Sequence, residues 1–188
     1  MVEIIAYQER WPIEFQQIAA VLHKGLENTA LRIDHIGSTS VPGLDAKDVI
    51  DIQISVRALD GEFIQRMQAL GYQLAEGTWR DHCPPAFQGP ASEWEKLFFR
   101  PPTGQRRTNT HVRVLGRANQ RYPLLFRDYL RTHPATAQAY AELKRRLAAH
   151  LANPDLYPEV KDPAVDLIYF AAEEWALATG WQMGASDY

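Results

Sequence analysis

The chain has 188 residues, 46% of them hydrophobic and 23% charged, with a formal net charge of −3. That composition is an ordinary globular one, long enough to bury a core without a covalent staple, and no 18-residue apolar run suggests a membrane span. The N-terminal Met-Val-Glu-Ile-Ile lacks a secretory pattern, and the single cysteine, Cys83, excludes an internal disulfide and a multi-cysteine metal site, so a cytoplasmic protein is expected.

The elements follow in chain order. Glu3–Tyr7 reads as a short first strand. Pro12 opens a helix in which Phe15, Ile18, Ala19, Leu22 and Leu26 recur at the spacing of a buried stripe. Leu31–Ile36 is extended and runs into a compact turn from Gly37 to Leu44. Val49–Val56 is the strongest strand signal: Ile50, Ile52, Ile54 and Val56 share one face, while Asp51, Gln53 and Ser55 share the other. A helix is expected from Gly61 to Leu70, then a short strand at Tyr72–Ala75. Residues 77–95 lose all periodicity and read as an ordered loop or lid. Lys96–Arg100 and Thr108–Leu115 read as strands, the second alternating Val112 and Val114 with Asn109, His111 and Arg113. The last third is helical: a stripe of Tyr122, Leu125, Phe126, Tyr129 and Leu130, a helix restarted by Pro134, and a third opened by Asp162-Pro163. The expected fold class is α/β (α+β), one domain with a mixed sheet over about 1–116 and helices packed on it over about 117–188.

The small net charge conceals an uneven distribution. Lys96 to Arg131 carries nine cations and one acid, a local balance of +8, so the remainder carries −11. Arginine outnumbers lysine 15 to 5, and its planar fork suits phosphate or carboxylate. Two readings stay open, a solvated surface of local ion pairs and a pocket for a phosphorylated ligand. The acidic remainder argues against a long nucleic-acid groove.

Three polar stretches stand out. Gly37-Ser38-Thr39 follows a strand, where a glycine lets backbone approach a ligand closely and hydroxyls can donate to an anion. Asp51-Ile52-Gln53 places a carboxylate and an amide on one strand face, able to hold a hard cation, accept a proton, or simply pair with Lys47. Asn109, His111 and Arg113 share a face of another strand, with His111 suited to proton transfer or metal ligation and Arg113 to a phosphate oxygen.

Taken together, His35-Ile-Gly-Ser-Thr-Ser-Val-Pro-Gly-Leu44 with Lys47 and Asp51, Asn109-Thr-His-Val-Arg113, Phe126-Arg-Asp-Tyr-Leu-Arg131, Tyr140 with Lys144, and Tyr157 with Lys161 resemble the pattern of the GrpB family over nearly the whole chain. The resemblance implies a nucleotidyltransferase-like fold, with Gly37-Ser38 as its phosphate turn and Asp51 as its first metal-binding carboxylate. It also implies a link to coenzyme A metabolism, because the family occurs fused to dephospho-coenzyme A kinases. The chain departs from a working two-metal site: Gln53 stands where a second carboxylate is needed, and His111 where a third is, so at most one divalent cation (Mg, Mn or Zn) on Asp51, Gln53 and His111 is expected. Gly37, Ser38, Thr39, Lys47, Arg113 and Arg127 are then the expected phosphate or nucleotide contacts, and Asp51 and His111 the catalytic pair. Asp81 and His82, in the irregular loop, are candidates to fold over the site. The expected partner is a nucleotide or other phosphorylated small molecule, either turned over by a diverged nucleotidyltransferase-like enzyme or phosphohydrolase or sensed by a non-catalytic regulatory module, with no membrane partner and nucleic acid as the weakest alternative.

Overall fold

A computed structural model describes residues 2–85 and 87–188. Five strands form one mixed sheet: β1 (Arg32–Ile36), β2 (Ile50–Val56), β3 (Gln73–Leu74), β4 (Leu97–Arg100) and β5 (Thr108–Val114), in the order β1-β2-β5-β4-β3. Among the described residues β2 and β5 pair in parallel, and the other three pairs are antiparallel. Helices α1 (Arg10–Leu26) and α2 (Gly61–Ala69) cover one face of the sheet, and α3 (Ala118–Thr132), α4 (Pro134–His150) and α5 (Tyr157–Thr179) form the helical third. No helix among the described residues is long and apolar enough to cross a membrane.

The period-2 alternation of β2 and β5 divides the interior. Ile50, Ile52, Ile54 and Val112 are fully buried and pack with Trp11, Phe15, Leu22, Phe63 and Met67 of α1 and α2. A second core, separate from the first, joins Val41 and Leu44 of the turn after β1 to Leu125, Leu130, Tyr140 and Ala172 of the three C-terminal helices. The polar face of the sheet lies between these two cores. Its residues stand in register across the parallel pair: Asp51 beside Asn109, Gln53 beside His111 and Ser55 beside Arg113.

Two expectations about elements change. Glu3–Tyr7 is no strand. Ile5 makes one reciprocal pair of backbone hydrogen bonds with Ala46 (2.9 and 3.0 Å), an isolated bridge. The third C-terminal helix starts at Tyr157 rather than at Asp162-Pro163, because Pro158 occupies its first turn, where a missing N–H costs nothing. Pro163 is then accommodated inside the helix. The loop at 77–95 is pinned at both ends: Asp81 N–H donates to Trp94 O (2.9 Å), Lys96 N–H to Trp79 O (2.9 Å), and Ala91–Trp94 forms a 3-10 turn with Trp94 buried.

Residues Gly184–Asp187 run along the free edge of β1. Ser186 Oγ accepts from Ile33 N–H (2.9 Å) and donates to Ile33 O (3.0 Å), and Asp187 accepts from His35 N–H (2.9 Å). Side chains thus satisfy edge groups that would otherwise template another strand.

Candidate functional site

A two-lobed cleft opens between the polar sheet face and helices α4 and α5. The larger lobe has a volume of about 570 Å³ and the smaller about 270 Å³, and Ser38, Asp51, Asp81, His111, Tyr140 and Lys161 line both. The glycine–serine turn, the aspartate of β2 and the histidine of β5 therefore do share one cavity.

Gly37 has φ +70° and ψ −173°, a conformation open essentially to glycine alone. It is also where backbone comes closest to Asp51. A Cβ on Gly37 would lie 2.9 Å from both Cβ and Cγ of Asp51 and would overlap its Oδ2. Ser38 faces the cleft, and its Oγ accepts a hydrogen bond from Lys144 Nζ (2.9 Å). Thr39 also borders the larger lobe but is buried, and it shares a hydrogen bond with His35 Nε2 (3.0 Å), whose ring stacks on Phe15. Burial and the nearby Arg131 and Arg127 depress the His35 pKa to about 3, so this imidazole is a neutral support of the turn.

Asp51 Oδ1 accepts from Asn109 Nδ2 (2.8 Å). Burial pushes its pKa up, against the pull of that bond and of Lys161, Arg113 and Lys144. His111 Nδ1 faces two donors that have no acceptor capacity, Lys96 Nζ (3.4 Å) and Arg113 Nη2 (3.3 Å), which assigns the ring proton to Nε2. Burial, then the Arg113 and Lys96 charges, hold its pKa well below the usual histidine value. It is a neutral hydrogen-bonding group rather than an acid.

Arg113 is committed within the protein. Its Nε and Nη2 form a two-point contact with Asp81 (2.8 Å each), and its Nη1 donates to Gln53 Oε1 (2.7 Å). Lys96 also donates to Asp81 (2.7 Å), and Asn119 Nδ2 does so at 3.0 Å. Burial alone would raise the Asp81 pKa, but Arg113 and Lys96 outweigh it and hold the carboxyl far below its usual range. The loop residue Asp81 is thus the counter-ion that locks loop to sheet. His82 beside it reaches Asp166 of α5 (2.8 Å) and lines the smaller lobe.

Two expected contacts fall away. Gln53 is fully buried, its oxygen given to Arg113 and its Nε2–H to Gln120 O (3.0 Å), so it has nothing left for a cation. Arg127 does not line the cleft. It donates to Asp128 (2.8 Å), to His35 O (3.0 Å) and to Asp187, so it holds the C-terminal segment against β1.

The expected contact Lys47 does line the cleft, and the rest of its basic character comes largely from lysines that the sequence left without a site role, Lys96, Lys144 and Lys161. Lys47, Lys96, Lys144 and Lys161, four of the five lysines in the chain, line the larger lobe. Lys47 lies 3.8 Å above the Tyr157 ring, and Lys144 donates to Ser38 Oγ and Asp45 O. Lys161 lines both lobes with Tyr140 and reaches Asp162 only at 4.0 Å. With Arg107 and Arg113, six cations face three aspartates, so the cleft is positive in a negatively charged protein. Burial, and then Lys161, draw the Lys144 pKa down to about 7. The usable signal in the sequence was the scarcity of lysine: both α4 and α5 place a lysine four residues after a tyrosine, Tyr140-Lys144 and Tyr157-Lys161, on one helix face.

The smaller lobe is different in kind. Trp94, Tyr122, Pro123, Phe126 and Val165 form apolar walls, with Ile36 at its inner side.

A divalent cation fits this site poorly. Among the described residues no three His, Cys, Asp or Glu side chains are grouped to hold a metal. Asp51 has one oxygen bonded to Asn109 and the other against Gly37, and the free electron pair of His111 Nδ1 is turned toward two cations.

Residues 1–170 match the family model of the GrpB protein. The chain is 34% identical to a dephospho-CoA kinase of Mycolicibacterium paratuberculosis, over 96% of this chain and 48% of that protein, so it spans about half the length of that relative. It is 37% identical to a UPF0157 protein of Pseudomonas aeruginosa, over 87% of this chain and 64% of that one. Among solved structures, the conserved protein GrpB from Enterococcus faecalis superposes with a TM-score of 0.72 at 30% identity, covering 92% of this chain and 99% of that one. The nucleotidyltransferase-like protein Cid1, solved in complex with its short product ApU, shares the fold at a TM-score of 0.51 and 11% identity, over 77% of this chain and 43% of that one. On sequence and on fold alike, the chain belongs to the GrpB family.

Proposed function

We propose that the cleft binds a phosphorylated small molecule of the nucleotide class, with its phosphates in the larger lobe and its organic part in the smaller one. The observation that carries this reading is the convergence of four of the five lysines on one cavity that also contains Ser38. Lysine side chains on a solvated surface spread apart to reduce their mutual repulsion. Four in one lobe, facing fewer carboxylates than cations, make a site that is electrostatically unfinished without an anion. The adjoining lobe has the aromatic and apolar walls that a base or another planar group would use, and the two lobes together are of ordinary ligand-site size. Two relationships support the choice of ligand class: the shared fold with a protein solved with a dinucleotide product, and the alignment with half of a protein named dephospho-CoA kinase.

A thermal-shift screen tests the reading, because a ligand bound only by the folded state raises the melting temperature by mass action. Nucleoside mono-, di- and triphosphates, coenzyme A and dephospho-coenzyme A raise it for at least one member of the set, and unphosphorylated nucleosides do not. A set without any shift contradicts it. A second reading, turnover of that ligand, rests on one contact, the Lys144 amine 2.9 Å from Ser38 Oγ, since an amine with a pKa of about 7 can take up a proton from the hydroxyl. Prolonged incubation with each bound ligand, followed by chromatography, separates turnover from sensing. New products that disappear in Lys144→Met are expected for an enzyme, and an unchanged ligand for a sensor.

A further inference from the structure

Resting on that reading, we propose that the cleft takes its phosphorylated ligand as the metal-free polyanion, with Lys47, Lys144 and Lys161 supplying the positive charge that divalent cations supply in nucleotidyl transfer. The fold leads one to expect metal, because phosphoryl groups passing between oxygens are neutralised by bridging cations held on a cluster of carboxylates. Here the carboxylate cluster is reduced to Asp51, and each of its oxygens already has a neighbour. Oδ1 holds the Asn109 amide at 2.8 Å, and Oδ2 stands against the Gly37 backbone so closely that a methyl group there would overlap it. The other two positions that might complete a coordination sphere point the wrong way. Gln53 gives its oxygen to Arg113 at 2.7 Å, and His111 turns its bare nitrogen to Lys96 and Arg113. A cation entering here would meet Lys161, Lys144 and Arg113 around Asp51 and find no vacant pair of oxygens.

The lysines have the complementary property. Among the described residues, neither Lys47 nor Lys144 has a carboxylate within 4.0 Å, and Lys161 has one only at that limit. The partners they do have, an aromatic face, a serine hydroxyl and a backbone carbonyl, leave ammonium N–H groups over, and the carboxylates that offset their charge, Asp45, Asp51 and Asp162, stand no closer than 4.0 Å. They come from three separate parts of the chain: the loop before β2, helix α4 and helix α5. An arrangement assembled from such distant positions surrounds a ligand rather than decorating a surface. A diphosphate or triphosphate satisfies it. The same ligand complexed with Mg²⁺ brings less negative charge and a hydrated cation that the lysines repel.

Calorimetric titration of the whole chain with pyrophosphate and with ADP, first in EDTA and then in excess Mg²⁺, tests the proposal. Both ligands bind in EDTA, and excess Mg²⁺ weakens ADP binding about threefold or more. The sign of one substitution sharpens the test. Asp51→Asn keeps the shape of the side chain and removes a charge that repels the anion, so ADP binds more tightly; at a metal centre the same change abolishes binding. Lys144→Met combined with Lys161→Met weakens binding at least tenfold in EDTA. Binding that requires Mg²⁺ or Mn²⁺, or that either ion strengthens tenfold, overturns the metal-free assignment and leaves the nucleotide reading standing. Absence of binding in both buffers overturns the nucleotide reading and this inference with it. If Asp51→Asn does not fold by circular dichroism, the comparison of EDTA with Mg²⁺ on the wild-type chain decides alone.

Discussion

Lys144 is 3% exposed and has no carboxylate beside it, so the folded chain holds its ammonium form at a cost that a bound anion removes. The sign of the pH dependence follows. Between about 7 and the ordinary lysine value of 10.5, the unfolded chain keeps a proton at this position that the folded chain releases, so unliganded stability rises with pH across that window. The facing groups act on both sides: Lys161 and Arg145 lower the value, Asp45 and Asp51 raise it. Melting temperatures measured from pH 7 to 10 should show this rise, and Lys144→Met should flatten it. A phosphate brought to Nζ favours the ammonium form, so binding at pH 8 takes up protons. Titrations in buffers of different ionisation enthalpy read that uptake directly, and an affinity that does not fall as pH rises above 7 contradicts it. Gly37 gives a second residue-scale expectation. Gly37→Ala adds a methyl group where Asp51 stands and strains a positive φ, which together cost about 1–3 kcal/mol of stability. Ligand affinity should fall at least tenfold as the turn and Asp51 move apart.

At the scale of elements, Arg127 shows how a basic residue in a matching motif can serve the fold instead of the site. It is 5% exposed and bonded to Asp128, Asp187 and the His35 carbonyl, so it fastens α3, β1 and the C-terminal segment together. Arg127→Met should lower unfolding stability by about 1–3 kcal/mol, because it takes the donor from the His35 carbonyl and from the half-buried Asp128 and Asp187, while ADP affinity measured well below the melting temperature stays within twofold. Loss of affinity in a folded Arg127→Met protein would return this residue to the site. The contrast with β2 and β5 marks what the sequence can reveal. Strict alternation in Ile50–Val56 and Thr108–Val114 identified both strands, their buried faces and the polar side that builds the cleft, since a one-residue error would reverse every side chain. The start of α5 was hidden because Asp162-Pro163 is a good cap-and-first-turn pair in isolation. Pro158 satisfies the same rule five residues earlier, and packing against the cleft favours the longer helix. That missing turn carries Tyr157 and Lys161, so an error in one boundary removed two residues of the site.

Over the whole molecule, charge is used in two ways that the linear sequence does not distinguish. The arginine-rich stretch from Lys96 to Arg131 is largely absorbed within the fold: Arg106 by Glu14 and Asp48, Arg113 by Asp81, Arg117 by Glu95, Arg121 by Glu173, and Arg127 and Arg131 by Asp128. Partners 52 to 92 residues away, such as Glu173 for Arg121 and Glu14 for Arg106, lie beyond any local charge pattern. The protein should therefore bind heparin no more strongly than a neutral control at 0.15 M salt, and a steep salt-dependent retention would show that the arginines remain free. The lysines, few and scattered through the chain, converge instead. The central claim is that this convergence forms an anion site, and it is tested most directly by calorimetric titration of ADP into the wild-type chain and into the Lys144→Met, Lys161→Met double variant, in EDTA at pH 7. The account predicts saturable one-site binding to the wild type and at least a tenfold loss in a double variant that is still folded; equal affinity for the two proteins would contradict it.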